Sequence, residues 1–119
     1  EGRPSTIGRV FSPGYQRNEG GEVEKIREMI RSTPVDGFCG CCHAIMGLDL
    51  TDQLSAMTLP TLLVVGEDDS GKPVSAHEVI QGEIVGPELI ELPGARHFSN
   101  VEQQSAFNEA DSTFLKAQL

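Results

Sequence analysis

Between Glu22 and Arg31 the apolar residues Val23, Ile26, Met29 and Ile30 return every three or four positions, the repeat of one helix face, and Pro34 halts the pattern. The spacing predicts a short amphipathic helix. A second helix is predicted from Phe38 to Leu48, where Phe38, Cys41, Cys42, Ile45 and Met46 share a face and Gly37 and Gly47 bracket the run, with Gly40 as its weak point. Ahead of both, residues 1–20 are rich in Gly, Pro, Arg and Ser, hold the turn signal Ser12-Pro13-Gly14 and show no sustained apolar repeat, so they read as loop. Leu50 to Met57 mixes polar and apolar residues and reads as one more turn of helix.

From residue 58 the pattern changes. Thr61 to Val65 is a short β-branched and Leu-rich run between Pro60 and Gly66, which predicts a strand buried on both faces. A loop of charged and small residues, Gly66 to Pro73, leads into a predicted helix from Val74 to about Gln81. Gly86-Pro87 breaks the chain, Glu88 to Leu92 reads as a second strand, and Pro93-Gly94 ends it. Ser99 and Glu102 have the spacing of a capping box, and Val101, Phe107, Ala110, Phe114 and Leu115 then keep a roughly helical period to the end. Strand, loop, helix, strand, loop, helix argues for an α/β fold with a parallel sheet, whose functional loops follow the carboxyl ends of the strands.

Composition narrows the function. A formal charge of −9 with nine scattered Lys and Arg argues against nucleic acid, which needs clustered cations. The longest apolar stretch, Leu59 to Val65, is interrupted by Pro60 and Thr61 and falls far short of a bilayer helix, so no membrane span is expected. Glu1-Gly2-Arg3-Pro4 is neither an initiator Met nor a secretory signal, and is expected where a chain begins mid-protein or has been processed. Three crowded cysteines, Cys39, Cys41 and Cys42, suit a reducing compartment better than a disulfide scaffold, so a cytoplasmic protein is expected.

Both loops that follow the strands hold candidate chemistry. In the first, Asp69 follows a buried strand closely, where an acid is held rigidly enough to orient a His and to stabilise an imidazolium. In the second, His97 lies between a strand end and a helix start, a setting that lets one ring nitrogen face an acid and the other a nucleophile. Each also has a plainer reading: Asp69 as the cap of the next helix, His97 as a structural or surface His. The pair weighs more than either residue, because an acid after one strand and a base after the next is the tail of the Ser, Asp, His order of α/β-hydrolases.

Three longer segments make the likeness narrower. Leu63-Val64-Val65-Gly66-Glu67-Asp68-Asp69, then Lys72-Pro73-Val74, then Leu92-Pro93-Gly94-Ala95-Arg96-His97-Phe98-Ser99-Asn100-Val101-Glu102-Gln103, resemble the C-terminal end of 3-oxoadipate enol-lactonases, capped α/β-hydrolases of aromatic catabolism. Thr33-Pro34-Val35-Asp36-Gly37-Phe38-Cys39-Gly40-Cys41-Cys42-His43-Ala44-Ile45 resembles the end of that family's helical cap, and the similarity runs from about Val10 to Leu115. The resemblance implies that residues 1–57 belong to the cap region and 58–119 to the last two strand-helix units of the core. It implies Asp69 as the triad acid, with Asp68 as the fallback, and His97 as the base. The nucleophile elbow Gly-x-Ser-x-Gly belongs upstream, and none of the nine serines here has that frame. Gln104, where the family often has Pro, and Asp111, where an apolar residue is commoner, are departures, the second suggesting an exposed or altered helix face.

Three other motifs compete and lose. Gly66-x-x-x-x-Gly71-Lys72 nearly spells a phosphate-binding loop, but Pro73 replaces the magnesium-binding hydroxyl, and Glu67, Asp68 and Asp69 repel phosphate. Cys39, Cys41, Cys42 and His43 are too close together on one helix to converge on zinc, and are read as thiols packing a helix face. Gly37-x-Cys39 begins like a nucleophile elbow, yet Cys41 stands where the second Gly belongs, and only His43 is near to activate a thiolate. His43 and His77 read as ordinary surface or helix residues.

The resemblance implies hydrolysis of a small carboxylated enol-lactone or related ester, with the acid and base in this chain, a Ser nucleophile elsewhere, and neither metal nor organic cofactor. A two-stranded ribbon is marginal alone, so stable folding is expected only against an N-terminal hydrolase segment or a second copy of the chain. The second reading is a non-catalytic truncated module that dimerises or binds a partner through the uncovered sheet edge.

Overall fold

The computed structural model describes residues 5–119, so the N-terminal tetrapeptide, and the reading of it as an internal or processed start, lie outside the described residues. Ten elements follow in order: α1 (Thr6–Val10), α2 (Pro13–Asn18), α3 (Gly20–Ser32), α4 (Val35–Met46), a 3-10 turn (Thr51–Ala56), β1 (Leu62–Gly66), α5 (Val74–Glu83), β2 (Glu88–Leu92), α6 (Ser99–Glu102) and α7 (Gln104–Ala117). The strands pair in parallel, from Leu62 opposite Glu88 to Gly66 opposite Leu92, with α5 as the crossover.

The first correction lies at the N-terminus, where the predicted loop is two short helices carrying much of the core. Ser5 caps α1 by accepting from the Gly8 amide at 3.2 Å, and Ser12 caps α2 by accepting from the Tyr15 amide at 3.2 Å, with Pro13 in the first turn, where it has no donor to lose. Ser12-Pro13-Gly14 is thus a helix start. Ile7, Val10, Phe11 and Val23 form a buried cluster, and Tyr15, Ile26, Phe98 and Val101 pack against it. Phe11 is fully buried, stacked on Tyr15 at 5.1 Å between ring centroids and meeting Phe98 edge-on at 5.4 Å. This cluster therefore sits between the N-terminal helices and the residues that follow His97, while Val65, Ile84, Leu92 and Ala95 are buried about the sheet.

In α3 only the front of the predicted apolar face is used. Val23 is buried and Ile26 half-buried, whereas Met29 and Ile30 are exposed. Its outer face is laced by Lys25–Glu22 and by Arg27 and Arg31 around Glu24, pairs of small energetic weight at such exposure. The second predicted helix starts earlier than expected, at Val35 after Pro34, and ends at Met46 against Gly47. Its apolar face is left largely uncovered by the described residues. Phe38, Ile45 and Met46 are 58%, 65% and 82% exposed and all three cysteines are free and exposed, so the thiols are not the packing residues that the sequence suggested.

Burial of β1 on both faces is also corrected. Val65 and Gly66 are buried, but Leu62, Leu63 and Val64 are half-buried, because one neighbouring strand covers only one edge. The capping box is not formed: Phe98 holds the cap position of α6, Ser99 makes no cap bond, and Gln103, at φ −121° and ψ 48°, divides the predicted last helix in two. Gln104 is the first residue of α7, the helical position where proline loses nothing. Asp111 and Leu115 are exposed on α7, while Phe107, Ala110 and Phe114 are half-buried. Among the described residues no helix is long and apolar enough to cross a membrane.

Candidate active site at the carboxyl ends of the strands

The parallel register places the loops after β1 and β2 side by side, and backbone bonds then lock them together. The Glu67 amide donates to the Leu92 carbonyl at 3.0 Å and the Asp68 amide to the Ala95 carbonyl at 2.9 Å. The Gly94 amide donates to the Glu67 carboxylate at 3.1 Å, and Gly94 itself turns the chain out of β2 with φ +65°, a left-handed conformation that disfavours a Cβ. Gly66 permits the closest approach, since a Cβ at this position would collide with the carbonyl oxygens of Ala95 and Arg96. In the sequence Gly66 marks a strand boundary and the start of the rejected phosphate-loop pattern, and nothing local signals this close approach.

Within this frame Asp69 and His97 meet. Asp69 is 6% exposed, and its Oδ1 accepts from the amides of Gly71 at 2.8 Å and Lys72 at 3.0 Å. Its Oδ2 lies 2.7 Å from Nδ1 of His97. Burial pushes the Asp69 carboxyl upward, but the bond to His97 and the two backbone donors outweigh it and hold the group below the usual carboxylate range. Asp69 does not cap α5, whose cap position is Pro73. The same turn answers the phosphate-loop reading, because the amides of Gly71 and Lys72 point at the Asp69 carboxylate. Asp68 is exposed and contributes its backbone amide alone, so the geometry pairs His97 with Asp69 and not with the fallback.

The His97 side chain is 47% exposed, and its second ring nitrogen makes no hydrogen bond among the described residues. A cavity of about 290 Å³ opens beside it, lined by Thr6, Arg9, Val10, Phe38 and Lys72, and a smaller one of about 120 Å³ lies toward Val64, His77 and Ser99. His77 bonds the Pro73 carbonyl of its own helix at 3.2 Å, and His43 is exposed on α4. Among the described residues no group of three or more His, Cys, Asp or Glu is arranged to hold a metal ion.

Three residues around His97, namely Arg96, Phe98 and Glu102, are not singled out as site residues by the sequence. Glu102 accepts from the Arg96 amide at 2.8 Å with one oxygen and from the Ser12 amide at 3.0 Å with the other, and the Arg96 guanidinium donates to the Gly8 carbonyl. The Phe98 amide donates to the Val10 carbonyl at 3.0 Å. No local signal exists for bonds that join residues about 90 positions apart.

No protein-family model matches the chain. It is 32% identical over 108 residues to a 3-oxoadipate enol-lactonase 2 of Acinetobacter baylyi, a match that covers 91% of this chain and 40% of that protein. A hydrolase from Pseudomonas aeruginosa superposes with a TM-score of 0.85 at 36% identity, over 92% of this chain and 41% of that one. The enol-lactonase from Burkholderia xenovorans superposes with a TM-score of 0.89 at 27% identity, over 92% of this chain and 42% of that one. The chain thus spans about two fifths of the length of the curated relatives it matches. With its strand order, its loop pair and these likenesses in agreement, the chain belongs to the α/β-hydrolase superfamily and matches the C-terminal part of its 3-oxoadipate enol-lactonase-like members.

Proposed function

We propose that this chain supplies the acid and the base of a Ser-His-Asp hydrolase centre whose nucleophile lies on a segment outside these 119 residues. The observation that carries this reading is the 2.7 Å pairing of buried Asp69 with Nδ1 of His97, which leaves the other ring nitrogen open toward a cavity. In the proposed cycle that nitrogen takes the serine proton as Oγ bonds to the carbonyl carbon, then gives it to the leaving oxygen as the C–O bond breaks. A water molecule repeats the sequence on the acyl-enzyme, passing its proton through His97 back to the serine and releasing the acid. Asp69 stays ionised throughout, fixing the tautomer and stabilising the imidazolium. The chemistry calls on no metal or organic cofactor.

The substrate class is a small carboxylated enol-lactone or a related ester, as in enzymes of aromatic catabolism. The names of the relatives support the lactone, and the cavity supports a small anionic acyl group: Thr6, Val10 and Phe38 provide apolar wall, while Arg9 and Lys72 bring positive charge into a protein of net charge −9. The partner is an N-terminal hydrolase segment, to which the uncovered faces of α4 and the sheet would dock, or a second copy of the chain. The free thiols of α4 favour a reducing compartment, the cytoplasm. The same uncovered faces favour the second reading, a non-catalytic module that only binds or dimerises.

The test is lactone hydrolysis by the chain assembled with a segment carrying Gly-x-Ser-x-Gly. Replacing His97 with Ala is expected to lower kcat on the order of 10³- to 10⁴-fold. Equal rates with and without His97 would remove the catalytic reading and leave the binding module.

A further inference from the structure

Glu102 makes an unusual pair of bonds for a residue on a four-residue helix. Its two carboxylate oxygens reach the amides of Arg96 and Ser12, at 2.8 and 3.0 Å, and not the backbone of its own helix start. Arg96 immediately precedes His97, and Ser12 immediately follows Phe11, which is fully buried. One carboxylate therefore ties the chain just before His97 to the start of α2, beside the fully buried Phe11. The residues on either side of His97 are anchored to the same N-terminal helices, Arg96 through its guanidinium on the Gly8 carbonyl and Phe98 through its amide on the Val10 carbonyl at 3.0 Å. His97 is thus held between two points fixed to α1 and α2, and it meets Asp69 from there.

We propose that Glu102 is a positioning residue for His97, fastening its loop to the start of α2 so that Nδ1 stays on Asp69. The proposal rests on the reading of His97 as the base. The two N–H donors meet different oxygens of the carboxylate, and an amide has an acceptor oxygen at only one of those two places. Glu102→Gln keeps the volume but turns an NH₂ toward one donor, so a single bond survives. Charge-assisted bonds of this kind also resist exchange with water better than neutral ones.

The experiment uses the full chain, labelled with ¹⁵N and kept with any partner it retains on isolation. Amide hydrogen exchange at Ser12 and Arg96 and the ring-nitrogen shifts of His97 at alkaline pH, which report the tautomer, are compared in the unsubstituted chain, Glu102→Gln, Glu102→Ala and the exposed control Glu109→Gln. Both amides are expected to be protected in the unsubstituted chain, with exchange about tenfold or more faster in the Glu102 variants. His97 is expected to carry its proton on Nδ1 in the unsubstituted chain and in Glu109→Gln, and to move to a tautomer mixture in the Glu102 variants while amides in β1 and β2 keep their protection. Unprotected Ser12 and Arg96 amides in the unsubstituted chain overturn the proposal even if neither variant folds. Variants that exchange faster yet keep the Nδ1 proton also overturn it, because Glu102 then supports the fold and not the base. A proton already on Nε2 in the unsubstituted chain removes the Asp69 pairing itself, and with it the base reading as well as this one.

Discussion

Asp69 shows how one buried carboxylate can be kept charged beside a His. Three bonds, from His97 and from the amides of Gly71 and Lys72, offset the cost of removing it from water. Because its folded pKa lies below that of an unfolded aspartate, roughly 3.9, its stabilisation is present above that value and is lost as pH falls through the folded value. Asp69→Asn is therefore expected to destabilise the chain, with any partner it needs, by about 1–3 kcal/mol near neutral pH, and the difference should shrink below about pH 4. Urea titrations across pH check this, and a difference that grows on acidification would contradict it. Gly66 makes the complementary point about space. Gly66→Ala forces a Cβ into the carbonyl oxygens of Ala95 and Arg96, and is expected to cost on the order of 3 kcal/mol in the same titrations, with loss of the Asp69–His97 bond in the histidine ring spectrum. Asp69 and His97 were legible in the sequence because each stands just beyond a short apolar run. Gly66 was not, since the backbone it must clear lies about 30 residues away in sequence.

At the scale of elements, legibility followed the length of the local pattern. The second strand was read with its bounds intact and the first within one residue, because dense Leu, Val and Ile between Gly and Pro admit few other structures. The helices α1 and α2, of five and six residues, are shorter than the window in which a helical repeat can be seen, and tertiary packing of Ile7, Val10 and Phe11 holds them. Phe11→Ala is accordingly expected to cost about 3–5 kcal/mol, among the largest effects of a single truncation here, and thermal unfolding with calorimetry checks it. Were the loop reading of this segment correct, the loss would be under about 0.5 kcal/mol. The capping box failed for a different reason: Ser99 and Glu102 have the right spacing, but the amide of Arg96, six residues back, and that of distant Ser12 compete for the Glu102 carboxylate and win it. The apolar face of α4 was read correctly as a face and wrongly as packed, since periodicity cannot say whether the covering surface lies in the same chain. Ile45→Glu should thus change the stability of this chain alone by less than about 0.5 kcal/mol while weakening any assembly that covers α4, as sedimentation would record.

At the scale of the molecule, Asp69 and His97 are held 2.7 Å apart at the carboxyl ends of a sheet of two strands, with Phe38, Ile45 and Met46 left open to water. A ribbon of this size is marginal on its own, and the catalytic reading asks for a serine that none of the local frames here provides. Both demands have one answer, a segment that covers the open faces and brings Gly-x-Ser-x-Gly to the free nitrogen of His97. Native mass spectrometry of the species isolated from its own cells tests that answer most directly. These residues are expected to be found joined, covalently or in a complex, to a segment with that motif. A stable lone chain, or a homodimer with no such segment, would contradict it and make a binding role the better reading.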